Sequence, residues 1–141
     1  MKEEIKIKEV REGEIKEFAD KQWKIIEKKC GFAPFWKSYF FGIYEKGLLR
    51  GYARVDIEGD IAEVSRIIID DKFTDKGFGS RLMKHIKEFA KKNKCRKIVL
   101  QATGRYGDSI DFYKKHGFKV DATLKDYYFG CDWHYMGKSL K

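Results

Sequence analysis

The spacing of apolar residues changes twice between residues 61 and 103, and nothing else in the chain constrains the fold as strongly. Residues 61–69 read as a strand that ends on Ile67-Ile68-Ile69. Phe78, Leu82, Met83, Ile86, Phe89 and Ala90 then recur at helical spacing up to about residue 93, with lysines on the outer face. Ile98, Val99 and Leu100 form the apolar run of a short second strand over 97–103. A strand, a long connection and another strand predict a parallel pair with a crossover helix.

The remaining segments surround that unit. Residues 5–10 alternate like a first strand, and Ile15, Phe18, Ala19, Trp23, Ile25 and Ile26 fit one face of a helix over 13–29. Residues 39–44 and 48–57 read as two strands joined around Lys46-Gly47, and Glu58-Gly59-Asp60 is a second turn. A helix over 108–116 ends at Gly117, a natural C-terminal cap. Residues 118–120 and 127–136 are strand-like and rich in aromatics. The expected fold is α/β (α+β), a mixed central sheet flanked by helices in the order β-α-β-β-β-α-β-α-β-β. No repeat, low-complexity tract or linker interrupts it, so one domain over 1–141 is expected.

The chain has 31 Lys+Arg against 22 Asp+Glu, a formal charge of +9, which invites a nucleic-acid reading. That reading needs basic residues gathered on one face with exposed aromatics, whereas the lysines here are dispersed and mixed with acids. Residues 1–10 are charged and alternating, unlike a signal peptide, and no apolar run approaches a membrane span. Three cysteines without a CxxC pair suggest reduced, mostly buried thiols. A cytoplasmic protein without nucleic-acid or membrane partners is therefore expected. Cys131-x-x-His134 lacks a second pair and reads as structural, so no metal is expected; His85 and His116, set among lysines, read as solvated.

The chemistry-bearing stretch is the junction Ile69-Asp70-Asp71-Lys72-Phe73-Thr74-Asp75-Lys76-Gly77-Phe78-Gly79-Ser80. Glycines two apart at a helix start leave backbone N–H groups free to meet an anion, and Lys76, Arg81 and Lys84 add positive charge. A Walker-type loop would end in Gly-Lys-Ser/Thr, which this loop does not offer. A dinucleotide fingerprint would need a glycine where Leu82 stands. The loop therefore suits a phosphate in some other setting, or is simply a turn that needs permissive torsions.

Downstream, Thr74-x-x-Gly77-x-Gly79 is followed by Tyr106-x-x-Ser109-x-x-x-Tyr113-x-x-x-Gly117-Phe118. Together they resemble the two acyl-CoA motifs of the GNAT family of N-acetyltransferases, Arg/Gln-x-x-Gly-x-Gly/Ala and Asn-x-x-Ala-x-x-x-Tyr-x-x-x-Gly-Phe. The element order agrees over nearly the whole chain. Thr74 replaces Arg or Gln, and Tyr106 and Ser109 replace Asn and Ala, while both glycines and the tyrosine are kept.

The resemblance implies acetyl-CoA as cosubstrate, without a metal, and transfer to a primary amine, a small molecule in preference to a protein, within a ternary complex. It implies that Thr74, Asp75, Lys76, Gly77, Phe78, Gly79 and Ser80 meet the pyrophosphate. The backbone of Ile67, Ile68 and Ile69 would pair with pantetheine, their side chains being core, and Ser109 and Phe112 would line the same cofactor. Glu63 matches the position of a catalytic base and Tyr113 that of an acid beside the sulfur; a solvent-facing strand carboxylate and a core tyrosine are the alternatives. The aromatic passage 32–41 falls where the family builds its acceptor pocket, and Asp56, Glu58, Asp60 and Glu63 suit a cationic acceptor. A homodimer through the C-terminal strands is common in the family. A non-catalytic module that binds or senses acyl-CoA remains the alternative function.

Overall fold

The computed structural model describes residues 4–31, 36–106 and 109–141. The chain divides into two compact units, 1–34 and 35–141. The first contains α1 (Glu12–Cys30), which opens with Glu14 Oε2 accepting from the Arg11 N–H at 2.7 Å. Acidic Glu12 and Glu14 sit at its positive end and basic Lys28 and Lys29 at its negative end, each favourable to the helix dipole. Gly31, at φ 79°, closes it by donating to the Glu27 carbonyl at 2.9 Å.

Among the described residues the second unit holds six strands, three 3-10 turns and two further helices. Its strands are β1 (Trp36–Glu45), β2 (Leu48–Glu58), β3 (Ile61–Ile69), β4 (Lys97–Ala102), β5 (Lys119–Leu124) and β6 (Trp133–Ser139), and α2 (Phe78–Lys92) and α3 (Ser109–Lys115) connect them. The order across the sheet is β1-β2-β3-β4-β6-β5. Among the described residues only the β3–β4 pair is parallel, with α2 as its crossover, as the change of period requires. The β1–β2 hairpin turns at Lys46 (φ 52°) and Gly47 (φ 76°), two left-handed residues whose twist suits a two-residue loop.

Alternation divides the sheet into two faces. One face presents Ala53, Val55, Ile57, Ala62, Val64, Ile98, Leu100 and Ala102 to Leu82, Met83, Ile86 and Ala90 of α2, all buried. Burial of side chains such as Met83 and Ile86 contributes roughly 1.5–3 kcal/mol each. Tyr39 and Phe41 of β1 close this layer with edge-to-face contacts to Phe89, at centroid distances of 4.8 and 4.9 Å. The other face carries Ser38, Arg54, Asp56, Glu63, Ser65 and Gln101.

Several expectations are corrected. Residues 4–10 form no strand among the described residues, so the order begins with α1. Alternation supplies a face, but a strand also needs a ladder partner, and this segment has none there; Ile5 and Ile7 are exposed. The 127–136 run is a 3-10 turn (Tyr128–Gly130) followed by β6, because Asp126, Phe129 and Gly130 adopt positive φ. Phe118 is core and lies just ahead of β5, which runs on to Leu124. Of the cysteines only Cys95 is buried; Cys30 is exposed and Cys131 half-buried, and all three are free. His85 is exposed, as expected, with its ring against Phe41 at 4.9 Å, whereas His116 is half-buried and tied to Ser80 rather than solvated. No helix of the described residues is long and apolar enough to cross a membrane.

Candidate active site

The parallel ladder between β3 and β4 is short. Ile61, Ala62 and Glu63 pair with Lys97, Ile98 and Val99, and pairing stops there although both strands continue. At the same level β3 carries a bulge: Arg54 faces Arg66 and Val55 faces Val64, which leaves Ser65 as the extra residue. A bulge bends its strand and raises the local twist, so β3 and β4 diverge beyond Glu63. Beyond this point β3 keeps β2 on one side and β4 keeps β6, while among the described residues no ladder occupies the two facing edges.

The diverging strands lead to the start of α2. Gly77 is its N-cap at φ 81°, with no side-chain cap, and the Arg81 N–H to Gly77 carbonyl bond of 3.0 Å is the first of the helix. The N–H groups of Phe78, Gly79 and Ser80 precede that bond, and no acidic residue occupies the first turn. Such an end suits an anion. Asp75 (φ 65°) and Gly77 curl the preceding backbone, and Lys76 stands 5.0 Å over the Phe73 ring, which Arg50 covers from 4.0 Å. The Thr74 hydroxyl donates to the Asp71 carbonyl at 3.1 Å, so it braces the loop from within. Ser80 Oγ lies 2.9 Å from His116 Nε2, a pairing across the sequence that fastens the loop helix to the end of α3. Burial, followed by the charges of Lys87, Lys138 and Lys115, holds the His116 pKa down.

The end of β3 and α3 meet at the same place. A Cβ on Gly79 would stand 3.3 Å from Phe112 and 3.9 Å from Ile69, so glycine permits this close packing. Phe112 and Tyr113 touch edge-to-face at 5.4 Å, and Tyr113 also meets Phe118 at 6.0 Å. Tyr113 thus rests on the core as a packing tyrosine would, yet its hydroxyl has no hydrogen-bond partner among the described residues. Burial pushes its phenol pKa up, which keeps the proton in place. Ser109 Oγ is buried without a partner among the described residues. Ile67 packs on the core, but Ile68 turns to the opposite face and is 59% exposed, contrary to the expectation that all three isoleucines are core.

Glu63 lies at the apex of the divergence on the other face, opposite Asp56 of β2. With Trp36, Asp56, Glu58 and Ile61 it lines a concavity of about 340 Å³. Asp60, at the turn, pairs instead with Arg96 at 3.0 Å. Burial raises the Glu63 pKa, and the charges of Asp56 and Glu58 raise it further, against the smaller effects of Ser65 and Arg54. For Asp56 burial also acts upward, but hydrogen bonds from Ser38 (2.6 Å), Ser65 and Arg54 (3.0 Å), with the Arg54 charge, hold it below the usual carboxylate range. Two neighbouring carboxyls are thereby pushed apart, which is how one site keeps an acid and a base. Among the described residues, no group of three or more His, Cys, Asp or Glu is placed to hold a metal ion.

In the passage 32–41, residues 32–35 lie outside the described set; Trp36 lines the concavity, Phe40 lies beneath Arg54, and Phe41 is turned to α2. The side chain of Tyr106 is likewise outside the description. Sequence reasoning missed Ser65, Gln101 and the Ser80–His116 link. All three depend on register or on contacts between distant segments, which local spacing does not carry.

The model of the Acetyltransferase (GNAT) family matches residues 7–118. An uncharacterized Bacillus subtilis protein, YdhI, is 31% identical over 85 residues, covering 60% of this chain and 52% of that relative, so the match spans about half of its length. An acetyltransferase structure from Bacillus cereus superposes with a TM-score of 0.74 at 20% identity, over 96% of this chain and 97% of that one. The PaiA N-acetyltransferase of Thermoplasma acidophilum, solved in complex with coenzyme A, superposes with a TM-score of 0.63 at 20% identity, over 92% and 80%. At that identity the structures speak for the fold, while the family model reaches from ahead of α1 through the uncapped helix and on to Phe118. The chain belongs to the GNAT family of acetyltransferases.

Proposed function

We propose that the protein transfers the acetyl group of acetyl-CoA to a primary amine by direct attack in a ternary complex. The observation that carries this reading is the juxtaposition of two unpaired strand edges, β3 beyond Glu63 and β4 beyond Val99, with the uncapped, acid-free start of α2. An extended arm with amide groups suits the first and a pyrophosphate suits the second; a structural relative was solved in complex with coenzyme A. When bound, acetyl-CoA supplies a thioester whose carbonyl carbon is open to attack.

The chain's own residues meet the remaining needs. An alkylammonium, with a pKa near ~10.4, has no lone pair until it loses a proton. Glu63, its affinity for protons raised by burial and by Asp56 and Glu58, accepts that proton. Backbone N–H groups on the β3 edge donate to the thioester oxygen as charge develops there. As the C–S bond breaks, Tyr113 donates the proton it has retained to the departing sulfur. The second proton that the nitrogen sheds on becoming an amide restores the phenol, while Glu63 releases its own proton to solvent. Thr74, Asp75, Lys76, Gly77, Phe78, Gly79 and Ser80 hold the pyrophosphate, the N–H groups of Phe78, Gly79 and Ser80 doing so directly. Ile67, Ile68 and Ile69 present the strand edge, and Ser109 and Phe112 border the arm.

The concavity at Glu63 has room for a small amine, and its Asp56 and Glu58 favour a cation beside the Trp36 indole. A small cationic amine is accordingly preferred to a protein amino group. Turnover assayed by thiol release from acetyl-CoA, with a panel of alkylamines, diamines, amino acids and short peptides, tests the proposal. Tight coenzyme A binding with no amine-dependent release would favour the module that binds acyl-CoA without turnover.

A further inference from the structure

The contact between Ser80 Oγ and His116 Nε2, 2.9 Å long, can carry its proton two ways, and the two differ in what Ser80 offers a ligand. Ser80 is the third residue of α2, and its N–H is among those that precede the first bond of the helix. Its hydroxyl hangs only three bonds from that nitrogen, and helical side chains lean toward the N-terminus, so an anion that accepts the N–H lies beside Oγ as well. Where Nε2 is bare, the hydroxyl donates to the ring and keeps no proton for a ligand. Where Nε2 carries hydrogen, the ring donates to Oγ and the hydroxyl proton is free. His116 is held for this contact from several sides. Phe112 packs on its ring at a centroid distance of 4.7 Å, and its backbone N–H donates to the Phe112 and Tyr113 carbonyls at 3.2 and 3.0 Å. Lys138 Nζ donates to its carbonyl at 2.8 Å.

We propose that His116 is a positioning residue for the diphosphate of coenzyme A: its Nε2–H donates to Ser80 Oγ and so turns the Ser80 hydroxyl proton to the ligand. The assignment rests on the coenzyme A site of the acetyl-transfer reading and concerns binding alone. The imidazole does not touch the ligand and takes no part in the proton transfers of catalysis. In the free protein burial disfavours the imidazolium, as do the charges of Lys87 on α2, Lys138 on β6 and Lys115 on α3. A doubly charged diphosphate favours it, so binding draws a proton to the ring. Affinity is therefore full at acid pH and falls as pH rises through the pKa of the bound state.

Dephospho-coenzyme A is the probe, because it keeps the diphosphate and lacks the phosphate monoester, which titrates near neutrality. Calorimetry between about pH 5.5 and 7.5, in buffers of differing ionisation enthalpy, gives its Kd and the protons taken up. The wild type should take up part of a proton and lose affinity roughly fivefold or more across that range. His116→Gln places a non-titrating amide N–H where Nε2 stood. It should bind within about threefold of the wild type at neutral pH and lose the pH dependence. Uptake by Lys138 or its neighbours would survive in His116→Gln, so the difference between the two proteins is what belongs to His116. His116→Leu should bind roughly tenfold more weakly than the wild type at acid pH, as should Ser80→Ala, and the double variant should be no worse than either. His116→Gln decides alone should His116→Leu fold poorly. The same pH dependence in wild type and His116→Gln, or additive losses in the double variant, overturns the inference while binding itself leaves the coenzyme A site standing. A wild type that binds coenzyme A but not the dephospho form also overturns it, and one that binds neither defeats both readings.

Discussion

Replacing Gly77 by alanine separates backbone torsion from side-chain contact at the candidate phosphate loop. Gly77 sits at φ 81°, and a Cβ built there meets nothing within 4 Å, so the whole effect is torsional. The left-handed region costs a non-glycine residue about 1–2 kcal/mol. For a chain of this size that corresponds to a fall in Tm of roughly 3–8 °C. Gly79 makes the internal control, because its φ is not in the positive region and its Cβ would approach Phe112 to 3.3 Å. Gly79→Ala gains about 0.5–1 kcal/mol of helix propensity and loses a similar amount as the Phe112 ring gives way, for a net effect near zero. Gly77→Asn, with a side chain tolerant of the left-handed region, should recover much of the Gly77→Ala loss. Thermal melts with and without coenzyme A read both consequences. Ligand at a hundred times its Kd should stabilise the wild type by about 2.7 kcal/mol. That gain should shrink in Gly77→Ala, where the N–H groups of Phe78, Gly79 and Ser80 are re-aimed. A Gly77→Ala protein that melts like the wild type, or responds to coenzyme A as fully, would refute the reasoning.

Two further outcomes follow from the Glu63 face and from Tyr113. Glu58 has no hydrogen bond or ion pair among the described residues, and its charge helps to raise the Glu63 pKa. Neutralising it in Glu58→Gln must lower that pKa, so the acid limb of the kcat/KM profile should move to lower pH; movement the other way would exclude Glu63 as the base. Tyr113→Phe keeps the ring contacts with Phe112 and Phe118 and removes only the proton. Its kcat should fall by about 10²-fold or more at unchanged coenzyme A affinity, and a kcat within twofold of the wild type would end the acid role.

Much of the fold was legible because it rests on local period. The 61–69 alternation became β3 at those boundaries, and the apolar spacing from Phe78 onward became α2. Gly77-x-Gly79 marked the helix start because glycine is the residue that admits φ 81° at one position and close packing of Phe112 at the other. Residues 5–10 misled for the complementary reason: alternation describes one strand, whereas pairing depends on another. The bulge at Ser65 is a relation between β2 and β3, and the end of the parallel ladder at Glu63 and Val99 a relation between β3 and β4. Neither leaves a trace in local spacing. The charge of +9 was legible as a total but not as an arrangement. Lys76 lies on Phe73 beside the uncapped helix, whereas Lys138 caps the His116 carbonyl at 2.8 Å, its pKa pulled down to about 8 by contact with Lys87, by burial and by the charges of Lys87 and Lys91.

The central claim is that the diverging strands, the uncapped helix and the Glu63 concavity form one acetyl-transfer site. Its most direct test is the stoichiometry of coenzyme A release against N-acetylated product across the amine panel. Equal amounts of free thiol and N-acetyl amine, formed only when both acetyl-CoA and the amine are present and lost in Glu63→Gln, are the predicted result. Saturable coenzyme A binding without acetylated product from any amine, or product formation that Glu63→Gln leaves untouched, would contradict it.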